Sequence, residues 1–580
     1  MEMLVASLIF FMVITIFAPI IGKYVAKIYT FKLYKILPIN NHNYQELFHQ
    51  QTWRYYFLSL MFFNIICLAF TIIIIYFQEY LPLNNNLDAK DKLSFAGTLN
   101  AAISFTTGTF CQSHHAETQL TLFSQLFALT MQNFLSGATS IAVFIAFTRG
   151  INNNNNPYIG NFYSDFLRGF IFILLPAAII ISLFLINNGV PYDFTGNLNF
   201  TDISGNSREI YIGPIAGQMS IKNLISNGGS VLASASSHPF EAPNRIVVMF
   251  SLFSVVLLPI AMIFTYGFLV NALRLSWSLY FVIIIIMIAS LLLLNLGETN
   301  YGIPLILESG QKLGDNFNYL GKELIYDKFP SLMWILSITT SSCGSVNSCL
   351  ENYSPLSTLV LFSNLIISKF VMEGIGAGFF AMLSYLIVAV FLRGLVTGET
   401  SNFFGKRITI NEINYVIIVF LVIPVGILIF TAITLYLPYS RELITHHGSQ
   451  AVTDITYNFA SSFANNGSHF SGIDISSDYF NYMTALAMFI GRYTIIYYSL
   501  AISGSFANKQ KLVDKLAKLN QSNLELCLFL VITVLLVSAI MFLPMMILGP
   551  LLELMSVHTG QFKSHNQELQ FFSTTRILYG

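Results

Sequence analysis

Long apolar runs recur from one end of the chain to the other, with shorter polar stretches between them. A hydrocarbon core about 30 Å thick takes about 20 apolar residues as a helix. On that measure the pattern predicts ten spans: 4–22, 54–77, 122–147, 168–187, 245–271, 275–296, 358–394, 414–437, 481–506 and 523–549. The seventh, at 37 residues, is too long for one straight crossing. It contains Gly374-Ile375-Gly376-Ala377-Gly378, so a broken or kinked helix is expected, with its freed backbone covered by protein or facing a cavity. The first run begins at Leu4 with no basic leader or clear cleavage site, and reads as a retained helix rather than a signal peptide.

The polar stretches alternate in charge. Lys23, Lys27, Lys32, Lys35 and Arg54 follow the first span, and Arg149 and Arg168 flank another loop. Arg274 lies in a short turn, Lys406 and Arg407 in a fourth basic loop, and Lys509, Lys511, Lys515 and Lys518 in a fifth. These are every second loop, so the positive-inside rule makes them cytoplasmic and puts both termini outside. The remaining loops, 78–121, 188–244, 297–357 and 438–480, are long and outer. Each holds a half-length, weakly apolar segment followed by a glycine among small polar residues. The strings are "SFTTGTFCQ" around Gly108, "LISNGGSVLASASSHPFE" around Gly228, "ITTSSCGSVN" around Gly344 and "SSFANNGSHFSG" around Gly467. Successive glycines stand 120, 116 and 123 residues apart, which indicates four repeats of span, half-helix, loop and span. Non-helical backbone at membrane depth is tolerated only where it is buried or lines water. Ion filters use such backbone, because its carbonyls replace an ion's hydration shell.

Composition agrees. Hydrophobic residues make up 55% of the 580 and charged residues only 10%, against roughly 25% charged in soluble domains. The expected fold class is therefore an all-α polytopic membrane protein. A formal net charge of zero gives no basic footprint for nucleic acid. The five cysteines form no CxxC pair and suggest no disulfide framework. His114-His115 and His446-His447 are adjacent pairs, a poor spacing for a metal site, and read as solvated loop residues. "INNNNNP" (Ile151–Pro157) reads as a flexible cytoplasmic loop. Gly398 to Lys406 has the wrong glycine spacing for a phosphate-binding loop, and no DKTG-type aspartyl-phosphate motif is present. The chain is thus not expected to hydrolyse ATP itself.

At these loops the sequence resembles the potassium-transporting ATPase A chain family, KdpA. The resemblance runs over almost the whole chain and is carried by "GPIAGQMSIKNLISNGG" with "SSHPFE", "TTSSCGSVN", "FANNGS", "GIGAGFFAM", "FFGKRI" and "MFIGRY" before "SGSFANK". It implies four span–pore–span repeats of the K⁺ transporter superfamily around one pore, with an extra helix at each end. The corresponding divisions are 1–53, 54–150, 151–273, 274–397, 398–508 and 509–580. It also implies a non-hydrolytic subunit in a bacterial inner membrane, working with a P-type ATPase subunit, KdpB, and the small subunits KdpC and KdpF. K⁺ is the transported ion, and no organic cofactor is implied. Carried over by position, the filter residues are Thr107, Gly108 and Thr109; Asn227, Gly228 and Gly229; Ser342, Cys343 and Gly344; and Asn465, Asn466 and Gly467.

Loop one departs most. The family reads close to TNTNWQ where this chain has Thr107-Gly108-Thr109-Phe110-Cys111-Gln112, so weaker K⁺ affinity or poorer discrimination from Rb⁺ and NH₄⁺ is expected. Charges within spans are costly unless partnered or hydrated. Lys369 stands where the family usually has Glu, with Glu373 one helical turn on, and Glu399 stands where it usually has Arg. The reversed signs suggest a compensating exchange near a gate at Gly374, Gly376 and Gly378, against the plainer reading of independent drift or local misalignment, and Arg492 of the "GR" pair reads as a structural or gating partner. The alternatives are a stand-alone K⁺ channel or symporter of the same superfamily, or a degenerate paralogue that transports weakly.

Overall fold

In a lipid interior each backbone N–H and C=O must be satisfied within its own segment, so the apolar runs fold as helices. The structure, a computed structural model, describes residues 2–31, 48–84, 93–194, 196–201, 205–300, 317–323, 326–371, 374, 377–398, 401–511 and 523–558. Among the described residues, nine helices are long and apolar enough to cross a membrane. They fall on the first nine predicted spans. The predicted tenth falls on the 24-residue helix Asn523–Met546, whose apolar residues include Leu528–Met541. The long seventh run is divided, as its glycines predict, into helices Pro355–Val371 and Ala377–Thr397 on either side of Gly374.

Each outer loop folds part of the way into a short helix. These pore helices are Phe95–Thr107, Ile215–Leu224, Lys328–Thr340 and Gly448–Phe463. Each is preceded and followed by a long helix, and burial separates the two kinds. In the preceding helices Trp53–Tyr76, Phe162–Asn187, Leu273–Asn300 and Ile410–Tyr436, only 33–44% of the apolar window is buried. In the following helices Ser124–Asn152, Arg245–Val270, Phe379–Thr397 and Asp478–Ala507, the share is 61–78%. The first set therefore faces outward, and the second forms an inner wall around the pore helices. Asp478–Ala507 packs on the first pore helix and on Met131–Asn152, joining the fourth unit to the first.

The helix Glu2–Thr30 lies along Arg245–Val270. The approach is close at Gly22, where a β-carbon would stand 2.7 Å from the Ala261 carbonyl oxygen. Strands are confined to small two-stranded pairs, the longest being Gly196–Thr201 against Ser207–Ile212 in the second outer loop.

The "INNNNNP" segment is not the loose loop its composition suggests. The Asn155 and Asn156 amides donate to the carbonyls of Lys509 and Ala507, and the Asn154 side chain accepts from the Lys511 amide at 2.8 Å. Here the asparagine segment pairs with the loop that follows Asp478–Ala507.

Candidate functional site

All four pore helices end in the same turn. The amide of Thr109 donates to the Ser104 carbonyl, Asn227 to Lys222, Cys343 to Ile338 and Asn466 to Ser461, each reaching five residues back. The residue just before each donor has a positive φ: Gly108 at 76°, Ser226 at 54°, Ser342 at 55° and Asn465 at 52°. A left-handed residue at a helix C-terminus satisfies carbonyls that the helix leaves open.

This backbone register differs from the one the glycine spacing suggests. Gly108 is equivalent to Ser226, Ser342 and Asn465, not to Gly228, Gly344 and Gly467. The residue equivalent to those three glycines is Phe110. Loop one carries its glycine at the helix cap, where a positive φ favours it, while the other loops carry theirs two residues later for a further reason, joined at Gly467 by a positive φ of 97°.

That reason is close approach. A β-carbon on Gly228 would stand 2.8 Å from the Gly344 Cα, and one on Gly344 would stand 2.7 Å from the Asn466 carbonyl oxygen. One on Gly467 would run into the Thr109 carbonyl and stand 3.0 Å from the Cys111 nitrogen. The loops therefore touch backbone to backbone in the order two, three, four, one. The last contact is made by side chains: a β-carbon on Gly229 would stand 3.0 Å from Phe105 Cζ and 3.4 Å from Phe110 Cβ.

Hydrogen bonds run around the same ring. Cys343 Sγ donates to the Asn227 carbonyl at 2.9 Å, joining loops three and two. Ser342 Oγ donates to the Ala464 carbonyl at 3.1 Å, and Asn466 Nδ2 to the Cys343 carbonyl at 3.3 Å, joining three and four. Asn465 Nδ2 donates to Thr109 Oγ1 at 2.9 Å, joining four and one. Gln112 Nε2 donates to the Ser230 carbonyl at 2.6 Å and Gln112 Oε1 accepts from the Ser230 amide at 3.1 Å, joining one and two. Every neighbouring pair of loops is tied, so the ring is closed.

Behind loop two lies a buried ion pair. Lys222 on the second pore helix meets Glu241 at 2.5 Å, with side chains 1% and 2% exposed. Ser230, beside Gly229, donates to the same carboxylate.

A cavity lies against the helix-end side of the ring. Its wall takes one residue from each loop, Gly108, Asn227, Ser342 and Asn465, together with Gly374 and Arg492. The Gly374 amide donates to the Ser341 carbonyl at 2.8 Å, so the break in the seventh span is hydrogen-bonded to the third pore helix. Arg492 donates to Ser140 Oγ, and its Nη2 stands 3.8 Å from where a Gly108 β-carbon would be.

Of the other residues named from sequence, Thr107 closes the first pore helix, and its hydroxyl meets that of Thr109 at 2.9 Å. Gly378 is the second residue of the helix Ala377–Thr397, and Lys369 belongs to the helix Pro355–Val371. Glu373, Gly376 and Glu399 lie outside the described residues. The spacing of glycines passed over Phe110 and Ser226. A better signal was the distance of each from the end of its half-helix.

Two histidines read as solvated are not. His114 is buried, and desolvation beside His115 lowers its pKa to about 4. His446 Nδ1 is 2.6 Å from Asp454 Oδ2, and that bond raises the imidazole pKa.

The chain matches the family model of the potassium-transporting ATPase A subunit over residues 8–555. Proteins named potassium-transporting ATPase potassium-binding subunit are similar to it. One from Leptospira interrogans is 34% identical, the match covering 94% of this chain and 97% of the relative. One from Pseudomonas aeruginosa is 33% identical, over 95% and 98%. One from a Hydrogenobaculum species is 32% identical, over 95% and 98%.

Proposed function

We infer how the ring works from the premise that the chain belongs to the family of potassium-transporting ATPase A subunits and is the potassium-binding subunit of such an ATPase. K⁺ enters from the outer face and is held, stripped of water, by backbone carbonyls of the four turns. The turns are Gly108-Thr109-Phe110, Ser226-Asn227-Gly228, Ser342-Cys343-Gly344 and Asn465-Asn466-Gly467, with Thr107 and Gly229 at their margins. The observation that carries this reading is the closed ring of four turns, with three of its contacts backbone on backbone and the fourth made by side chains. Its physical support is that each turn follows a pore-helix C-terminus, which carries about half a negative charge, so four such ends favour a cation. The side chains of Asn465, Asn466, Ser342 and Cys343 tie loop to loop, which leaves coordination to the main chain.

The cavity beyond the ring receives the ion. Gly374 and Arg492 stand in its wall as a gate, and a fixed guanidinium there opposes a second cation. ATP hydrolysis belongs to a partner chain. We assign that role to a P-type ATPase subunit, KdpB, with small subunits KdpC and KdpF completing the complex. The alternation of basic loops supports a cytoplasmic (inner) membrane location with both termini outside.

The test is growth of a K⁺-uptake-deficient bacterium at micromolar K⁺, with this chain expressed alone and with its partner subunits. Growth with the partners only is expected. Growth with this chain alone would instead mark a self-sufficient channel or symporter. No growth despite an assembled complex would mark a degenerate copy.

A further inference from the structure

Three quarters of the ring are set by backbone pressed on backbone. The fourth is set by side chains, the Gln112 bonds to Ser230 and an aromatic pair. Phe110 holds the register position that glycine holds in the other loops, and does so at φ 56°. For a bulky residue that conformation is an outlier, and it persists only where the surroundings hold it.

Those surroundings are visible. The Phe110 amide donates to the Ser104 carbonyl at 3.2 Å. Its ring is 1% exposed and stands edge-on to Phe105, with centroids 4.7 Å apart and planes at 82°. The Phe105 ring and the Phe110 β-carbon abut Gly229, which has φ 77° and no side chain to push them away. The pair belongs to an apolar cluster that includes Ile74 and Ile75 of the outer helix Trp53–Tyr76. The ring of Phe110 thus connects a filter turn to the outer wall of the protein.

We propose that Phe110 is a specificity-determining residue: clamped between Phe105 and Gly229, it sets the spacing of loops one and two, and so the fit of the ring to K⁺ against Rb⁺ and NH₄⁺. The proposal rests on the reading of the ring as a K⁺ filter. Phe110 is a positioning residue, since its side chain faces the cluster and its main chain faces the ring. The ions differ by tenths of an ångström or in hydrogen-bonding shape, so a small change in one spacing changes their ranking more than it changes whether ions bind.

The experiment uses the assembled complex with its ATPase partner and reads the stimulation of ATP hydrolysis by K⁺, Rb⁺ and NH₄⁺. The measured quantity is the ratio of half-saturating concentrations, Rb⁺ or NH₄⁺ over K⁺. Phe110→Gly is expected to lower that ratio by about fivefold or more. Phe105→Leu is expected to lower it as well, and the double variant no further than Phe110→Gly alone, because one clamp is removed in each case. A ratio for Phe110→Gly within about twofold of the parent, or losses that multiply in the double variant, overturns the proposal. If Phe110→Gly fails to assemble by size exclusion, Phe110→Leu decides on the same criterion. A parent complex stimulated by none of the three ions overturns the filter reading itself. A parent stimulated by K⁺ beside an unshifted variant overturns only the role of Phe110.

Discussion

Gly344 has backbone on the side where a β-carbon would go, 2.7 Å from the Asn466 oxygen and 2.8 Å from the Gly467 carbonyl carbon. Neither atom is the end of a flexible side chain, so Gly344→Ala must spread loops three and four. A tenfold or greater loss of K⁺ affinity, about 1.4 kcal/mol, is the expected outcome in a binding titration. Gly108 is different. A β-carbon there meets nothing closer than 3.8 Å, and the left-handed conformation is one that asparagine tolerates. Gly108→Asn should therefore assemble with stability within about 1 kcal/mol of the parent, read by thermal unfolding of the complex. The two glycines show why the filter was only partly legible in the sequence. That small residues recur in four outer loops was plain. Whether a given glycine serves a positive φ or a close approach depends on what lies across from it, and spacing along the chain carries no record of that. The same holds for His446, whose partner Asp454 is brought to it by the turn into the fourth pore helix.

The elements were more legible than the contacts between them, because span length is dictated by the bilayer and is written in consecutive residues. The seventh run showed its break through excess length and Gly374. The runs showed only in part which helix faces lipid: mean hydropathy is 2.7–3.1 in the outer helices and 1.4–2.8 in the inner ones, so the ranges meet, and the rest of the difference lies in partners supplied by other repeats. The second pore helix is an example, because its Lys222 has its counter-charge, Glu241, in the chain that returns from the loop. Removing one member leaves the other charge buried and unpaired. Lys222→Met should then cost about 3–5 kcal/mol, and Lys222→Met with Glu241→Gln together clearly less than the sum of the two singles. Thermal unfolding of the purified complex measures both. At the start of the fourth pore helix the control is pH. The bond to Asp454 raises the His446 pKa above its ordinary value, and Glu351 and Glu553 favour the charged form as well. The protonated form thus contributes stability that is fully present below about pH 6.5 and is lost as pH rises through the raised value. Unfolding temperatures measured from about pH 6 to pH 8 should fall in the parent and be flatter in His446→Gln.

Across the whole molecule the two ends of the pore are closed by different means. One end is a ring of short loops, each tied to the next. At the basic-loop end the helix termini are drawn together by Lys406, which is buried and donates to the Phe506 carbonyl at 2.6 Å and the Gly150 carbonyl at 3.3 Å. Those carbonyls belong to the last turns of Asp478–Ala507 and Met131–Asn152, the inner helices of the fourth and first units. An ammonium there serves two helix C-termini at once, a place that favours a cation. Burial, with Lys511 and Lys509 nearby, lowers its pKa to about 8. The asparagine segment adds the second layer of the same joint through its bonds to Ala507 and Lys509. The expected consequence of Lys406→Met is local: two carbonyls lose the ammonium, and since the Phe506 oxygen keeps the Lys509 amide the cost is about 1–3 kcal/mol in all. Hydrogen exchange should then rise in residues 150–156 and 504–511 together, because the two segments share one joint, while the four pore helices keep the protection they have in the parent. Exchange rising in one segment alone would mean that Lys406 merely caps a single helix. Exchange rising at the pore helices would mean that the outer ring depends on the inner joint, and that the two ends of the pore are held as one unit.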